Sequence, residues 1–554
     1  MAIPEEIREP EAEAEEETQK EAIEGREDEM EENAAGGYSF TLDDWRRAER
    51  FLVLGCAEGS YYASAKELTI SNAEAILSCI EEDPTRLIDL IVKISTSGRA
   101  AKNDPALFAL ALVATQANVG ARKKAMEALL SVARIGTHLH HFCSYVNKLG
   151  SFGKVIRRGL QRWFASKDIG KLALLMLKYP SRDGWSFRDT LRMAHPKPDT
   201  EARDALYKWV VDGMGEAKPD NKGAVREKDG KTPEWMATHL PELVTVCDEL
   251  KRETDLNIVC AMIREYHLPR EVVPTELLKE VAVWEALFED MPMTAMIRNL
   301  GKMSSLKMFG PGSARTATVC ERLTDSVILK RARVHPIQML QALVTYKEGA
   351  GFRGSLTWEP SQRIVDALDE GFYKSFDTLI PTGKRVLLAL DVSGSMSWSP
   401  CNGLPGLTAA TISACMSMVT ARTEQNWEIM GFADTFRPLR ISPGQRLDTV
   451  MKKVQINNFG GTDCALPMTW ALRNGHEFDL FVVYTDGETW AGHGHPSKAL
   501  KNYRSLVPEA KLVVVAVTAT EVSIADPKDP GMLDIAGFDT AAPEIISSFA
   551  RGQL

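Results

Sequence analysis

Asp391, Ser393 and Ser395 stand in an Asp-x-Ser-x-Ser run that follows directly on a short apolar segment beginning at Arg385. One carboxylate and two hydroxyls on a tight turn are hard oxygen donors. Such donors suit Mg²⁺, or another divalent cation, which takes six oxygens and keeps several waters. Two more donors of the same kind follow, Thr462 in Gly460-Gly461-Thr462-Asp463 and Asp486 in Tyr484-Thr485-Asp486-Gly487. Each stands at the end of a segment with strand character, and doubly wound sheets gather ligands outside the carboxyl ends of their strands. Taken alone, the serine run also reads as a helix cap. The agreement of three separate strand ends favours a metal. The donor set is poor in acids for a two-metal nuclease and offers no general base, so it points to binding and not to catalysis.

The combination resembles the metal-ion-dependent adhesion site of von Willebrand factor A domains. That resemblance implies hydroxyl ligands from Ser393, Ser395 and Thr462, with Asp391 and Asp486 acting mostly through water. It also implies one open coordination position for an acidic residue of a protein ligand.

Charge gives a second candidate site. The 554 residues carry a net charge of −10, which on its face argues against a polyanionic partner. The distribution reverses that inference. Residues 1–36 hold 15 acids against three bases, a net of −12, and the rest of the chain is therefore +2. Residues 121–200 carry 16 bases and five acids. Lys148, Lys154, Arg157, Arg158, Arg162, Lys178, Arg182, Arg188 and Arg192 concentrate there, with Tyr145, Phe152, Trp163, Phe164, Tyr179, Trp185 and Phe187 among them. Lysine and arginine neutralise phosphates, and aromatic rings stack on unpaired bases, so this composition fits a nucleic-acid surface.

The elements that must position these residues fall into three parts. Residues 1–36 are rich in Glu and Ala and poor in large apolar side chains, so a disordered acidic tail is expected. Residues 37–380 show apolar residues at three- and four-residue spacing, broken by short Gly, Pro, Asp or Asn punctuation. Successive helix pairs of about 35–45 residues are the signature of HEAT-like stacking. A polar stretch near 213–233 reads as a loop or insertion. Residues 381–554 alternate apolar, β-branched runs at 385–391, 427–434, 478–486 and 511–518 with helical text. That is the pattern of a doubly wound α/β domain with a parallel sheet.

Nine scattered cysteines, an odd number with no C-x-x-C pair, argue against a disulfide framework or zinc knuckle. The N-terminus has no apolar signal region, and no run approaches a membrane span of about 18 residues, so a cytoplasmic location with no membrane partner is expected. Thr137-His138-Leu139-His140-His141 lacks an adjoining Cys or acid and reads as helix surface or an RNA contact in preference to a metal site. Cys464, next to Asp463, has no basic partner assignable from sequence.

Longer strings narrow the reading. Lys178-Tyr179, Arg182-Asp183-Gly184-Trp185-Ser186, His195 with Lys197-Pro198, and Arg298-Asn299-Leu300-Gly301-Lys302-Met303 occur in the helical part. Gly460 to Met468 and Ile524 to Thr540 occur in the α/β part. Together they resemble the TROVE-domain family of Ro ribonucleoprotein RNA-binding proteins over nearly the whole chain. The resemblance implies a ring of HEAT-like repeats (the TROVE module) joined to a von Willebrand factor A domain. It implies that Lys178, Arg182 and His195 lie on an outer surface that binds Y or Y-like RNA. The ring would take single-stranded ends of misfolded non-coding RNA, in RNA quality control, processing or stress response. Bacterial relatives imply an exoribonuclease partner such as polynucleotide phosphorylase. Lys148, Lys154, Arg157, Arg158, Arg162, Arg188 and Arg192 join the RNA set on charge alone. The competing expectation is a metal-dependent protein-interaction scaffold whose basic helices are incidental.

Overall fold

The structure is a computed structural model and describes residues 18–55, 65–213, 233–352, 354–376, 379–398, 406–454 and 460–553. The loop expected near 213–233 lies almost entirely outside the described residues. From Asp44 to Lys374 the described residues are mainly helical, and the helices pack on both their first and their second neighbours. Asp104–Gln116 lies on Gly136–Leu149, and Val119–Val132 lies on Lys154–Ala165. Their termini follow the sequence punctuation. Asp83 caps the helix Pro84–Ser97 by accepting from the Thr85 and Arg86 amides, with proline at the first helical position.

The helix Lys154–Ala165 shows how sequence sets orientation. Ile156, Gly159, Leu160, Trp163 and Phe164 recur at helical spacing and are buried, while Lys154, Arg157, Arg158 and Arg162 occupy the opposite face. Gly159 permits the close crossing, because a methyl group there would overlap the Met126 side chain.

The helical array closes on itself. His335 Nε2 meets the Arg99 carbonyl at 3.4 Å, so residues 236 positions apart form a seam. Ala101 and Lys102 line a cavity of about 760 Å³ together with Ile337, Gln338 and Gln341 from across that seam.

The strands, in chain order, are β1 (Met30–Glu32), β2 (Tyr38–Thr41), β3 (Ser181–Arg182), β4 (Trp185–Ser186), β5 (Arg385–Asp391), β6 (Asn426–Phe432), β7 (Phe436–Pro438), β8 (Leu480–Thr485), β9 (Lys511–Ala516), β10 (Val522–Ser523) and β11 (Met532–Ala536). The main sheet has the order β11-β9-β8-β5-β6-β7 and is parallel except at the β7 edge. Every residue of β8 is buried, as is every residue of β5 after Arg385, because helices cover both faces.

The α/β domain is clasped by both ends of the helical array. Near the N-terminal end, Arg50 binds Asp534 at 2.5 Å and also donates to the carbonyls of Thr520 and Val522, while Arg99 reaches Asp539 at 3.4 Å. Near the C-terminal end, Asp369 accepts from the Leu447 amide at 2.8 Å, and Arg446 and Lys347 pair with Asp366 and Asp448. One apolar cluster runs continuously from the later helices into the sheet.

The acidic tail requires a correction. Residues 1–17 lie outside the described residues, but residues 18–36 are ordered where disorder was expected. β1 pairs antiparallel with β2, which pairs with β10 of the α/β domain. Arg26 pairs with Asp526, and its guanidinium lies 4.5 Å from the centre of the Phe40 ring. Composition alone misled here, because the apolar surface these residues need is supplied by a domain nearly 500 positions away.

Candidate functional site

The first candidate site is built at the crest of the sheet. β5 lies between β8 and β6, so Asp391 at its end stands beside the end of β8, which Asp486 follows. Asp391 accepts from the Ser393 amide at 2.9 Å and from the Thr485 hydroxyl at 2.8 Å. Ser393 Oγ and Ser395 Oγ lie 3.1 Å apart. Thr462 is brought in by its own loop, where its carbonyl accepts from the Trp490 and Ala491 amides at 3.0 and 3.1 Å. All five sequence-selected donors are buried within this one region.

Its electrostatics fit a cation. Burial, reinforced by the charge of Asp486, pushes the Asp391 carboxyl up to about 7, and burial raises Asp486 as well. No lysine, arginine or histidine forms an ion pair with either acid among the described residues. Two buried carboxyls without a basic partner among the described residues, with the Ser393 and Ser395 hydroxyls beside them and Thr462 buried on a neighbouring loop, form an oxygen-rich cluster whose charge a divalent cation would balance. When bound, such an ion would offer a coordination position to an anionic oxygen. Cys464 lies beside the site but is fully buried, 3.7 Å from the Thr485 hydroxyl. Burial drives its thiol well above the ordinary range, which removes it as a nucleophile.

The second candidate site lies on the helical array. Lys154, Arg157, Arg158 and Arg162 face solvent from the helix Lys154–Ala165, and Arg188 and Arg192 face solvent one turn apart on Phe187–Ala194. Among the described residues Lys148, Lys154, Arg157, Arg158, Arg188 and Arg192 have no acid partner, whereas Arg162 pairs with Glu127 at 3.1 Å. Gln161 ties the two helices together. Its amide donates to the Ala194 carbonyl at 2.7 Å, next to His195, which ends the second helix in a left-handed conformation. Arg182 is presented by the β3–β4 hairpin, whose Asp183 and Gly184 both have positive φ, as a two-residue type I′ turn requires. Asn147, Arg157, Trp185, Arg192 and His195 converge on one open cavity of about 590 Å³. Lys178 differs from the rest. It is half-buried and lies 3.8 Å from Glu271.

Two readings of this region are refined. Trp163, Phe164, Phe187 and Phe152 are core residues, so most of the interleaved aromatics cannot stack on bases. Trp185 is the ring left at the surface cavity. The histidines at 138–141 hold the array together. His138 bonds Asn103, His140 bonds the Tyr179 carbonyl, and His141 pairs with Asp183 at 2.5 Å.

Sequence reasoning missed two groups. Lys102, Arg270, Lys279, Arg298 and Lys302 line the cavity at the seam together with Trp284, Tyr346 and Trp358. Their signal was diluted because they are drawn from well-separated parts of the array. Gln19, Asp463, Glu488 and Thr489 frame the first candidate site; the last three had no signal beyond adjacency to the candidate donors, and Gln19 had none.

Fold and site together define a helical TROVE array joined to a von Willebrand factor A domain. The TROVE domain model matches residues 31–384 and the Ro60 vWA domain model matches residues 385–550. The chain belongs to the Ro60 family. It is 43% identical over 525 residues to the "RNA-binding protein RO60" of Deinococcus radiodurans, covering 94% of this chain and 95% of that protein. It is 37% identical to the Caenorhabditis elegans protein of the same name, covering 94% and 90%. The crystal structure of the Deinococcus radiodurans RO (RSR) protein superposes with a TM-score of 0.68 at 42% identity, over 92% of this chain and all of that one. No helix among the described residues is long and apolar enough to cross a membrane.

Proposed function

We propose that this chain is a non-catalytic RNA-binding protein of a Ro ribonucleoprotein. Structured RNA, of the Y or Y-like kind, lies across the outer helices, and the seam cavity accepts the single-stranded end of a misfolded non-coding RNA. The observation that carries this reading is the row of exposed cations with no acid partner on Lys154–Ala165 and Phe187–Ala194, converging with Trp185 and His195 on one cavity. Surface charges without local partners favour a polyanion, and contact through phosphates gives affinity without reading sequence. The second cavity supports a single-stranded end. It pairs five basic side chains with the partly exposed Trp358 ring, over a floor formed by the buried Trp284 and Tyr346, and a cationic cavity with a stacking ring fits a single-stranded backbone. The role is RNA quality control, processing or stress response in the cytoplasm, with an exoribonuclease such as polynucleotide phosphorylase as partner. Crosslinking in cells followed by sequencing of the attached RNA tests it. Recovery of the protein without RNA would instead favour the metal-dependent scaffold.

The A domain holds Mg²⁺, or another divalent cation, through Ser393, Ser395 and Thr462, supported by Asp391 and Asp486, and presents it to an acidic ligand. Asp391→Ala is expected to weaken Mn²⁺ binding at least about 100-fold, because a buried anionic support is lost. Isothermal titration measures this, and undiminished binding would remove the assignment.

A further inference from the structure

The hairpin that carries Arg182 is too small to hold its own shape. β3 and β4 are two residues each, and an isolated two-stranded hairpin is marginal in water. Arg182 stands opposite Trp185, and the turn between them is made by Asp183 and Gly184, both at positive φ. Aspartate tolerates that conformation better than most residues, yet it still costs relative to glycine. The helix Gly136–Leu149 supplies the support. His140 Nε2 meets the Tyr179 carbonyl at 3.0 Å just before the hairpin, and the His140 ring packs edge-on against Phe187 just after it. Gly136 permits the close approach, since a methyl group there would overlap Tyr179 and Phe187.

His141, the next residue, reaches the tip of the hairpin. Its side chain is buried, with Nδ1 2.5 Å from the Asp183 carboxylate. Nε2 lies 3.5 Å from the carboxylate of Asp104, which opens the helix Asp104–Gln116. The ring lies nearly parallel to that of Tyr145, with centres 6.4 Å apart. The other oxygen of Asp183 lies 3.5 Å from Nε of Arg182. Asp104, His141, Asp183 and Arg182 therefore form one chain of charged contacts, running from the packed array to an exposed guanidinium. A carboxylate held at Nε sets the plane of an arginine and leaves its terminal nitrogens to fork around a phosphate.

We propose that His141 is a positioning residue for RNA binding, which acts through Asp183 to fix the hairpin tip so that Arg182 meets an RNA phosphate beside the cavity lined by Trp185. This rests on the reading that the face carrying Arg157, Arg182 and Arg192 binds structured RNA. His141 is buried and works without touching the RNA. The inference gives a use to an acid that otherwise stands in the wrong place. By charge alone, a carboxylate 3.5 Å from Arg182 weakens attraction to a polyanion. Charge and positioning therefore predict opposite signs for the loss of Asp183.

The experiment measures affinity of the full chain for a Y-like stem-loop RNA across a range of salt. Arg182→Ala, His141→Ala and Asp183→Gly are each expected to bind about 5-fold more weakly, with a salt slope of log K shallower by about one. Glycine tolerates positive φ, so Asp183→Gly removes the carboxylate and leaves the turn intact. The double variant His141→Ala, Asp183→Gly should lose no more than either single one, because both break the same link. His141→Asn keeps an N–H donor close to the place of Nδ1 and should restore the affinity. Tighter binding by Asp183→Gly overturns the proposal, since the acid would then act by charge alone. Weaker binding by His141→Ala at an unchanged salt slope also overturns it, leaving His141 a merely structural role. If His141→Ala does not fold, Asp183→Gly in the exposed turn decides by the same two readouts. Native binding by His141→Ala and Asp183→Gly, beside weakened Arg182→Ala, removes the positioning and leaves the RNA face standing. Native binding by Arg182→Ala as well removes both.

Discussion

Changing Arg157, Arg158 and Arg192 together to alanine is expected to weaken binding of a structured RNA by about 100-fold at moderate salt. Each side chain is exposed and has no acid partner among the described residues, so its positive charge is fully available to a phosphate. A phosphate contact of this kind contributes about 1 kcal/mol, and each one lost also lowers the salt slope of log K by about one. The triple variant should therefore show a slope shallower by about three. Fold stability should hardly change, because these groups lie on the solvent face and contribute nothing to the buried stripe of Ile156, Leu160 and Trp163. Arg162 provides an internal comparison. Glu127 already neutralises part of its charge, so Arg162→Ala should cost less than Arg158→Ala. Filter binding between 50 and 200 mM salt measures both quantities. An unchanged slope would mean that RNA does not lie on this face.

On acidification from pH 7 to pH 4 three buried histidines are expected to lower stability, against an opposing gain from the buried Asp391, Asp463 and Glu488 carboxyls, which burial makes readier to take up protons in the folded chain. His138, His335 and His495 are each pushed down to about 4, chiefly by burial. Their partners fix the neutral form. His335 precedes Pro336 and caps its helix, with Nδ1 accepting from the Ile337 amide at 3.2 Å and Nε2 facing the Arg99 carbonyl. His495 repeats the arrangement before Pro496, accepting from Ser497 and facing the Tyr38 carbonyl at 3.2 Å. A proton on Nδ1 would abolish either cap. Because the folded value lies below the unfolded 6.5, the unfolded chain takes up the proton first. The stability these histidines contribute is therefore complete above about pH 6.5, falls as pH drops towards 4, and levels off below that. Each histidine contributes about 3 kcal/mol to the loss. His335→Asn keeps a capping acceptor and removes the titration, so its stability should vary less with pH than that of the unmodified chain. Urea denaturation across this range is the measurement, and identical pH profiles would exclude His335 as a contributor.

The legibility of the molecule varied with the range of the forces that built it. The strands β5, β6, β8 and β9 were readable because continuous burial demands continuous apolar text. β11 and the β7 edge were not, since each is short and β7 carries a proline. Of the five proposed donors, Asp391, Ser393, Ser395 and Asp486 follow the ends of β5 and β8, which can be located from sequence, whereas Thr462 stands on a loop with no strand before it among the described residues, and not at the strand end that was expected. The basic face was half legible. Charge located Arg157 and Arg192, but composition could not separate the core rings Trp163 and Phe187 from the half-buried Trp185. The N-terminal segment was misread because its order derives from long-range partners, Asp463, Asp526 and the edge offered by β10. Likewise the seam cavity gathers Lys102 and Arg298 from positions that no local pattern relates.

The seam between Arg99 and His335 has a topological consequence. With the helical array closed at this seam and the α/β domain fastened to both of its ends, a strand taken up in the cavity as proposed would enter by its own terminus. A covalently closed circular RNA should therefore bind the outer helices as its linear counterpart does, yet fail to protect Lys102 and Lys302 from chemical modification. Nicking the circle once should restore that protection.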